Sequence, residues 1–261
     1  MKRLLPLLLA SALFTACAAS KKPDKITREL LSLSKEQVFE KGKALFARKK
    51  YEKGRKYLSF VFESYPNDPL GQRALMMVAD GFFAGGRKGF IEARYRYRDY
   101  LTRYPSAPDR DYARYRYALC YDKDHEPPDR DSTNTREAIS QYQTLLKESP
   151  ASIYAAKARE RAGVLGDLLA EHEFAVGFFY YRKGDPAAAL GRFQWAEGKF
   201  PHYSGRDKLY YYAGRALLRL HRAPEADRYF AHLDAEFPQS RWTTRARKEN
   251  HISVDKPTSG A

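Results

Sequence analysis

Five times in this chain a small residue is followed twelve positions later by proline: Gly54 with Pro66, Ala93 with Pro105, Ala138 with Pro150, Ala189 with Pro201 and Ala226 with Pro238. Eight residues before each proline stands a bulky apolar residue (Leu58, Tyr97, Tyr142, Phe193, Phe230), and five before it stand Val61, Tyr100, Leu145, Ala196 and Leu233. Steps of four and three put these residues on one face of an α-helix. Proline then stops the helix, because it lacks an N–H and restricts the residue before it. The spacing predicts a repeating unit that ends in a short amphipathic helix.

Four units also carry glycine 24 residues before the proline, at Gly42, Gly81, Gly177 and Gly214. Inside a helix each such glycine costs about 1 kcal/mol relative to alanine, so a close approach of a second helix must offset it. Two antiparallel helices with small residues at their crossing resemble the tetratricopeptide repeat. Successive prolines lie 39, 45, 51 and 37 residues apart, so the units carry insertions. The expected fold is all-α, a right-handed solenoid of about five tetratricopeptide-like helix hairpins whose faces bind an extended peptide or a partner.

Helices are expected from about Ser34 to Arg48, where Ser34 and Gln37 form a capping box, and then over Tyr51–Ser64, Leu70–Ala84, Gly89–Arg103, Arg110–Tyr121 and Asn134–Glu148. Ser152 to Arg182 holds no proline and keeps helical periodicity, which predicts one long helix in the fourth unit. A last hairpin is expected over Gly205–Glu236.

Lys2 and Arg3 precede the apolar run Leu4 to Phe14, which meets Thr15-Ala16-Cys17. Eleven residues are too few to span roughly 30 Å of hydrocarbon, so residues 1–16 read as a signal peptide. Cysteine after small residues at the end of such a run resembles the bacterial lipobox, although Phe14 stands where leucine is usual; Cys17 is the expected lipidation site. The expected organisation is a flexible tether over 17–33, repeats one and two over 34–110, repeats three to five over 111–248 and a disordered tail over 249–261. The second cysteine, Cys120, lies among aromatics and reads as a small buried hydrophobe.

The formal charge is +15, and loss of Lys2 and Arg3 leaves 15 − 2 = +13. A basic surface outside the cytoplasm favours acidic proteins or anionic lipid head groups over nucleic acid. The run Arg94-Tyr95-Arg96-Tyr97-Arg98-Asp99-Tyr100 suits single-stranded nucleic acid in composition, but Tyr97 and Tyr100 occupy core offsets of the repeat. The six histidines are scattered, and His172-Glu173 lacks the second histidine of a zinc-protease helix. No phosphate loop or nucleophile elbow occurs. The expectation is a non-enzymatic binding protein with no cofactor and no metal.

Asp129-Arg130-Asp131-Ser132-Thr133-Asn134-Thr135-Arg136-Glu137-Ala138, followed by Tyr142, Leu145, Leu146 and Ser149-Pro150-Ala151-Ser152-Ile153-Tyr154, resembles the third-repeat signature of the BamD lipoprotein family. So does Ala158-Arg159-Glu160-Arg161 with Leu169-Ala170-Glu171-His172-Glu173-Phe174-Ala175-Val176-Gly177-Phe178-Phe179-Tyr180, and the resemblance covers the mature chain. It implies an outer-membrane lipoprotein facing the periplasm, part of the machinery that assembles β-barrel proteins. Its implied partners are a BamA-type barrel protein, accessory lipoproteins and unfolded outer-membrane proteins. A periplasmic repeat lipoprotein that coordinates cell-wall or envelope processes is the second reading.

In tetratricopeptide geometry the first helix of each unit lines the inner wall. The expected substrate-peptide groove is therefore Phe39, Lys43, Phe46, Val78 and Phe82, with aromatics to stack on an aromatic signal strand and Lys43 to meet its terminal carboxylate. For partner docking, Lys208, Tyr211 and Arg215 form a basic-aromatic stripe in the last hairpin.

Overall fold

The computed structural model describes residues 25–127, 130–249 and 251, and every regular element among them is an α-helix. After α1 (Lys25–Ser32) come five hairpins: α2 (Lys35–Ala47) with α3 (Tyr51–Ser64), α4 (Pro69–Phe83) with α5 (Arg87–Arg103), and α6 (Arg110–Lys123) with α7 (Thr133–Glu148). The long α8 (Ala155–Lys183) pairs with α9 (Pro186–Lys199), α10 (Arg206–Arg219) with α11 (Ala223–Glu236), and α12 (Arg241–Lys248) follows. From α2 onward each helix packs on its neighbours in sequence, and α2 also meets α4, α8 meets α10, and α10 meets α12. The pairs thus stack in a line as a solenoid, with no single centre. The signal segment 1–16, Cys17, Asp129 and residues 252–261 lie outside the described residues.

The five prolines act as the spacing predicts. Tyr65, Tyr104, Ser149, Phe200 and Phe237, each directly before a proline, cap α3, α5, α7, α9 and α11 with ψ between 53° and 68°, away from the helical value. Each cap N–H donates its last helical bond to the residue five before the proline, from Val61 in the first unit to Leu233 in the fifth.

The glycines explain the pairing. A Cβ added at Gly42 would lie 2.7 Å from Leu58 Cγ, at Gly177 2.6 Å from Phe193 Cε1, and at Gly214 2.7 Å from Phe230 Cζ. The bulky residue of each second helix fills the space that a side chain on the first helix would take. At Gly81 the intruder is Phe46 of the preceding hairpin, 2.4 Å from the would-be Cβ. Tyr97, which the repeat spacing places there, instead donates from its hydroxyl to Asp80 Oδ1 at 2.5 Å and accepts from Arg116 Nε at 3.1 Å. In the third hairpin Ala118 and Ala138 pack with Tyr142.

Three apolar clusters run along the stack: one from α1 to α6, a small one where α6 and α7 meet the first half of α8, and one from the second half of α8 to α12. At 29 residues, about 43 Å, α8 is the element common to the last two. Cys120 is fully buried, and burial pushes its thiol up to about 12.

Two segments depart from the sequence reading. Within the expected tether, Lys25–Ser32 is helical: Ile26, Leu30 and Leu33 rest on the first cluster, and Glu29 accepts from Tyr57 Oη at 3.0 Å and pairs with Lys41. Apolar residues at steps of four and three supply the face that makes this possible. Beyond the fifth hairpin, α12 is capped by Ser240, whose Oγ accepts from Trp242 N–H at 3.0 Å, and it buries Thr243 and Ala246.

Gly177→Ala is expected to lower stability by about 1–2 kcal/mol, because the Phe193 ring has nowhere to move in a packed core. Gly198→Ala in α9, where an added Cβ meets nothing within 4 Å, should raise it by up to about 1 kcal/mol. Urea denaturation of both variants checks the contrast.

Candidate functional site

The expected peptide groove divides on burial. Phe39 and Val78 are fully buried in the first cluster and present no surface to a peptide, which removes both from the groove. The apolar period of α2 and α4 put them on the correct helix but on the packed face. Lys43 is exposed and pairs with Glu40 at 3.3 Å. Phe46 is half-buried, wedged against Gly54 and Gly81 and edge-on to Tyr51 at 5.3 Å between ring centres. Phe82 is half-buried beneath Arg55, whose guanidinium lies 4.2 Å from the ring centre while its Nη1 donates to Gly81 O at 3.0 Å. Phe46, Phe82 and Arg55 thus form one basic-aromatic cluster across two hairpins, with Lys43 three residues before Phe46 on α2. Arg55 was missed because it sits on a second helix and meets Phe82 only through stacking between repeats.

The expected docking stripe is engaged inside the chain. Lys208 pairs with Glu171 at 2.6 Å and lies 4.6 Å from the Phe174 ring centre. Tyr211 is fully buried and donates from its hydroxyl to Glu249 Oε2 at 2.8 Å, which also accepts from Arg215 at 2.6 Å. Trp242 of α12 packs on Tyr211 at 5.1 Å between ring centres. For Tyr211 and Arg215 the cause is α12, absent from the sequence reading, which with Glu249 covers that part of α10, while α8 holds Lys208.

The Arg94–Tyr100 run is split: Tyr95 and Arg98 are exposed, with the Arg98 guanidinium 5.1 Å from the Tyr95 ring centre, and the rest turns inward. Tyr97 and Tyr100 are fully buried, Arg94 pairs with Asp124 at 3.3 Å, and Arg96 lies 5.5 Å from the Phe62 ring centre.

The more open surface is elsewhere. A cleft of about 710 Å³ with mostly apolar walls runs between Ile139, Gln143 and Leu146 of α7, the first half of α8, and the turn from Phe200 to Tyr203 between α9 and α10. Ala162, Gly163 and Gly166 line it from α8, and an added Cβ at either glycine meets nothing within 4 Å. Arg159 and Lys199 stand at its edge. Two helix-interior glycines outside the repeat positions were the sequence signal for this cleft, and they cost about 1 kcal/mol each with no internal contact to offset it.

Its walls are held by a buried clamp. Asp122 at the end of α6 is 1% exposed and accepts from Arg161 Nε and Nη2 of α8 at 2.8 and 2.7 Å and from Tyr142 Oη of α7 at 2.8 Å. Burial pushes the Asp122 carboxyl up, but the Arg161 and Tyr142 hydrogen bonds outweigh it and hold the group below the usual carboxylate range. In the loop before α7, Asp131 Oδ1 accepts from Thr133 N–H at 2.8 Å, a turn contact that starts the helix.

Residues 32–215 match the family described as YfiO, outer membrane lipoprotein. The chain belongs to this family, the BamD family. It is 26% identical over 235 residues to the outer membrane protein assembly factor BamD of Caulobacter vibrioides, covering 90% of this chain and 75% of that protein. It is 24% identical over 245 residues to the BamD of Rickettsia prowazekii, covering 94% and 95%. Among solved structures, the TPR2AB domain of yeast Sti1 in its pHSP90 complex aligns at a TM-score of 0.46 and 16% identity over 83% of this chain and 82% of that one. The BamD-family match contains the whole α6–α8 clamp and the α7–α8 walls of the cleft.

Removing Asp122 from the clamp leaves Arg161 and Tyr142 without their acceptor, so Asp122→Ala should cost about 3 kcal/mol at pH 7. An unfolded aspartate titrates near ~3.9 and the folded group below it, so the stabilisation is full above about pH 5 and lost as pH falls through the folded value. The difference in urea midpoint between wild type and variant should therefore shrink toward pH 3.

Proposed function

We propose that this chain is an outer membrane protein assembly factor: a lipid-anchored, non-enzymatic scaffold of the β-barrel assembly machinery, facing the periplasm. The family match over residues 32–215 carries this reading. The repeat architecture supports it, because stacked hairpins provide long surfaces for other polypeptides to grip. Cys17 is the anchoring residue in this reading, and no helix among the described residues is long and apolar enough to cross a membrane.

The two surfaces divide the work. The Phe46–Phe82–Arg55 cluster, together with Lys43, receives the aromatic C-terminal strand of an unfolded outer-membrane protein, with half-buried rings to stack and cations for the carboxylate. The α7–α8 cleft docks the periplasmic part of the barrel-forming BamA-type subunit. At Gly163 and Gly166 a partner's backbone approaches α8 closely, and that contact offsets the helix cost of the two glycines.

Gly163→Leu with Gly166→Leu fills the cleft without touching the core and improves helix propensity. The melting temperature should hold or rise, while recovery of the barrel subunit with the lipoprotein from detergent extract falls at least about tenfold, since a filled cleft sterically excludes its occupant. Unchanged recovery would remove the cleft from the interface, and failure of the unmodified chain to bring down any barrel protein would remove the function. A photo-crosslinker at Phe82 should likewise capture a synthetic peptide with an aromatic C-terminus and not its amidated form.

A further inference from the structure

The α2–α3 turn carries a dense run of free positive charge. Arg48, Lys49, Lys50, Lys53 and Lys56 are all exposed, and none forms an ion pair with another described residue; Glu52 is the one acid among positions 48–56. Arg94, Arg161 and Lys208, by contrast, are held by carboxylates.

The backbone of this turn adds a second observation. Lys49 has φ of +58°, in the left-handed region, while its N–H donates to Phe46 O at 2.8 Å and the Lys50 N–H donates to Leu45 O at 2.9 Å. The same pair of bonds closes the α8–α9 turn, with Gly184 at φ +86°, and the α10–α11 turn, with His221 at φ +58°. Glycine is the residue this position favours, since it has no Cβ to clash. The first hairpin, like the fifth with His221, holds a residue with a side chain there, and in the first hairpin that side chain is an exposed cation.

The chain's own path indicates what the charge meets. Only Leu33 and the cap Ser34 separate α1 from α2, and Glu29 meets both Lys41 of α2 and Tyr57 of α3, so α1 folds back toward the first hairpin. Its first residue, Lys25, lies four residues upstream of that contact. Cys17 is eight residues further upstream, a reach of at most about 28 Å.

We propose that the α2–α3 turn is a membrane-contact surface: Arg48, Lys49, Lys50, Lys53 and Lys56 lie on anionic phospholipid head groups of the leaflet that holds the anchor, and so orient the solenoid. The choice of a lipid surface rests on reading Cys17 as the lipid-bearing residue. Each lysine near such a surface strengthens binding by roughly fivefold.

The unlipidated mature chain, residues 17–261 carrying Cys17→Ser, is floated with vesicles of phosphatidylcholine alone or with about 30% phosphatidylglycerol, a mixture that gives the anionic surface potential. It should float with the anionic vesicles only. K49E/K50E/K53E should lose at least about tenfold in binding. K147E/K157E/K199E, with the same net charge but altered at the opposite edge of the stack, should lose less than about twofold. Lys49→Gly should raise the melting temperature yet weaken flotation by roughly fivefold. Flotation on neutral vesicles, no flotation at all, equal loss in the two triple variants, or Lys49→Gly floating like the parent would each overturn the proposal. Intact mass of the native protein tests the anchor separately: an unmodified Cys17 with flotation as stated removes the anchor and leaves the surface standing.

Discussion

Everything in this structure depends on a small set of contacts in which one helix gives up its side chain so that a neighbour's can enter. Leu58, Phe193 and Phe230 occupy the space above Gly42, Gly177 and Gly214, and Phe46 enters at Gly81. Each glycine weakens its own helix by about 1 kcal/mol. Each buried ring or branched side chain gains about 1.5–3 kcal/mol of burial, so the exchange favours the hairpin. Because the contact recurs in unit after unit, the chain builds a line of hairpins and leaves long faces uncovered.

The fourth unit turns that line into something specific. A helix of ordinary length would end where its hairpin ends, but α8 continues across the third unit and is fixed there by Arg161 on buried Asp122. Its middle then meets α10 through Glu171 with Lys208, and its far end packs Gly177 on Phe193. A strut fixed at both ends holds α7 and the α9–α10 turn apart, and the cleft lined by Gly163 and Gly166 is the space between them. Burial of the polar clamp thus serves position more than stability, since a buried ion pair recovers little beyond its desolvation cost.

Local signals proved legible because they act through the backbone. The Ser34–Gln37 capping box has both of its bonds, at 3.3 and 3.0 Å, and α3 has the Tyr51–Ser64 bounds that the periodicity gives. The proline stops and the long α8 follow from equally local causes. Functional faces were less legible. An apolar period says that Phe39 and Val78 lie on a packed side, and only the neighbouring hairpin decides that they are sealed. Tyr211 sits in a run of three tyrosines, and α12 determines which of them sees solvent. Arg55 and Asp122 act on residues 26 and 39 positions away, where no sequence period reaches.

The most direct measurement is a double-mutant cycle between Gly214 and Phe230, the pair in which the three nearest atoms to an added Cβ all belong to the ring. Gly214→Ala in the parent should lose stability, by about 1 kcal/mol or more in urea denaturation, because the ring is displaced. In a Phe230→Ala background the obstruction is gone and helix propensity alone acts, so the same change should stabilise by up to about 1 kcal/mol. A Gly214→Ala effect of the same sign and size in both backgrounds would contradict the idea that ring-into-glycine packing builds this solenoid.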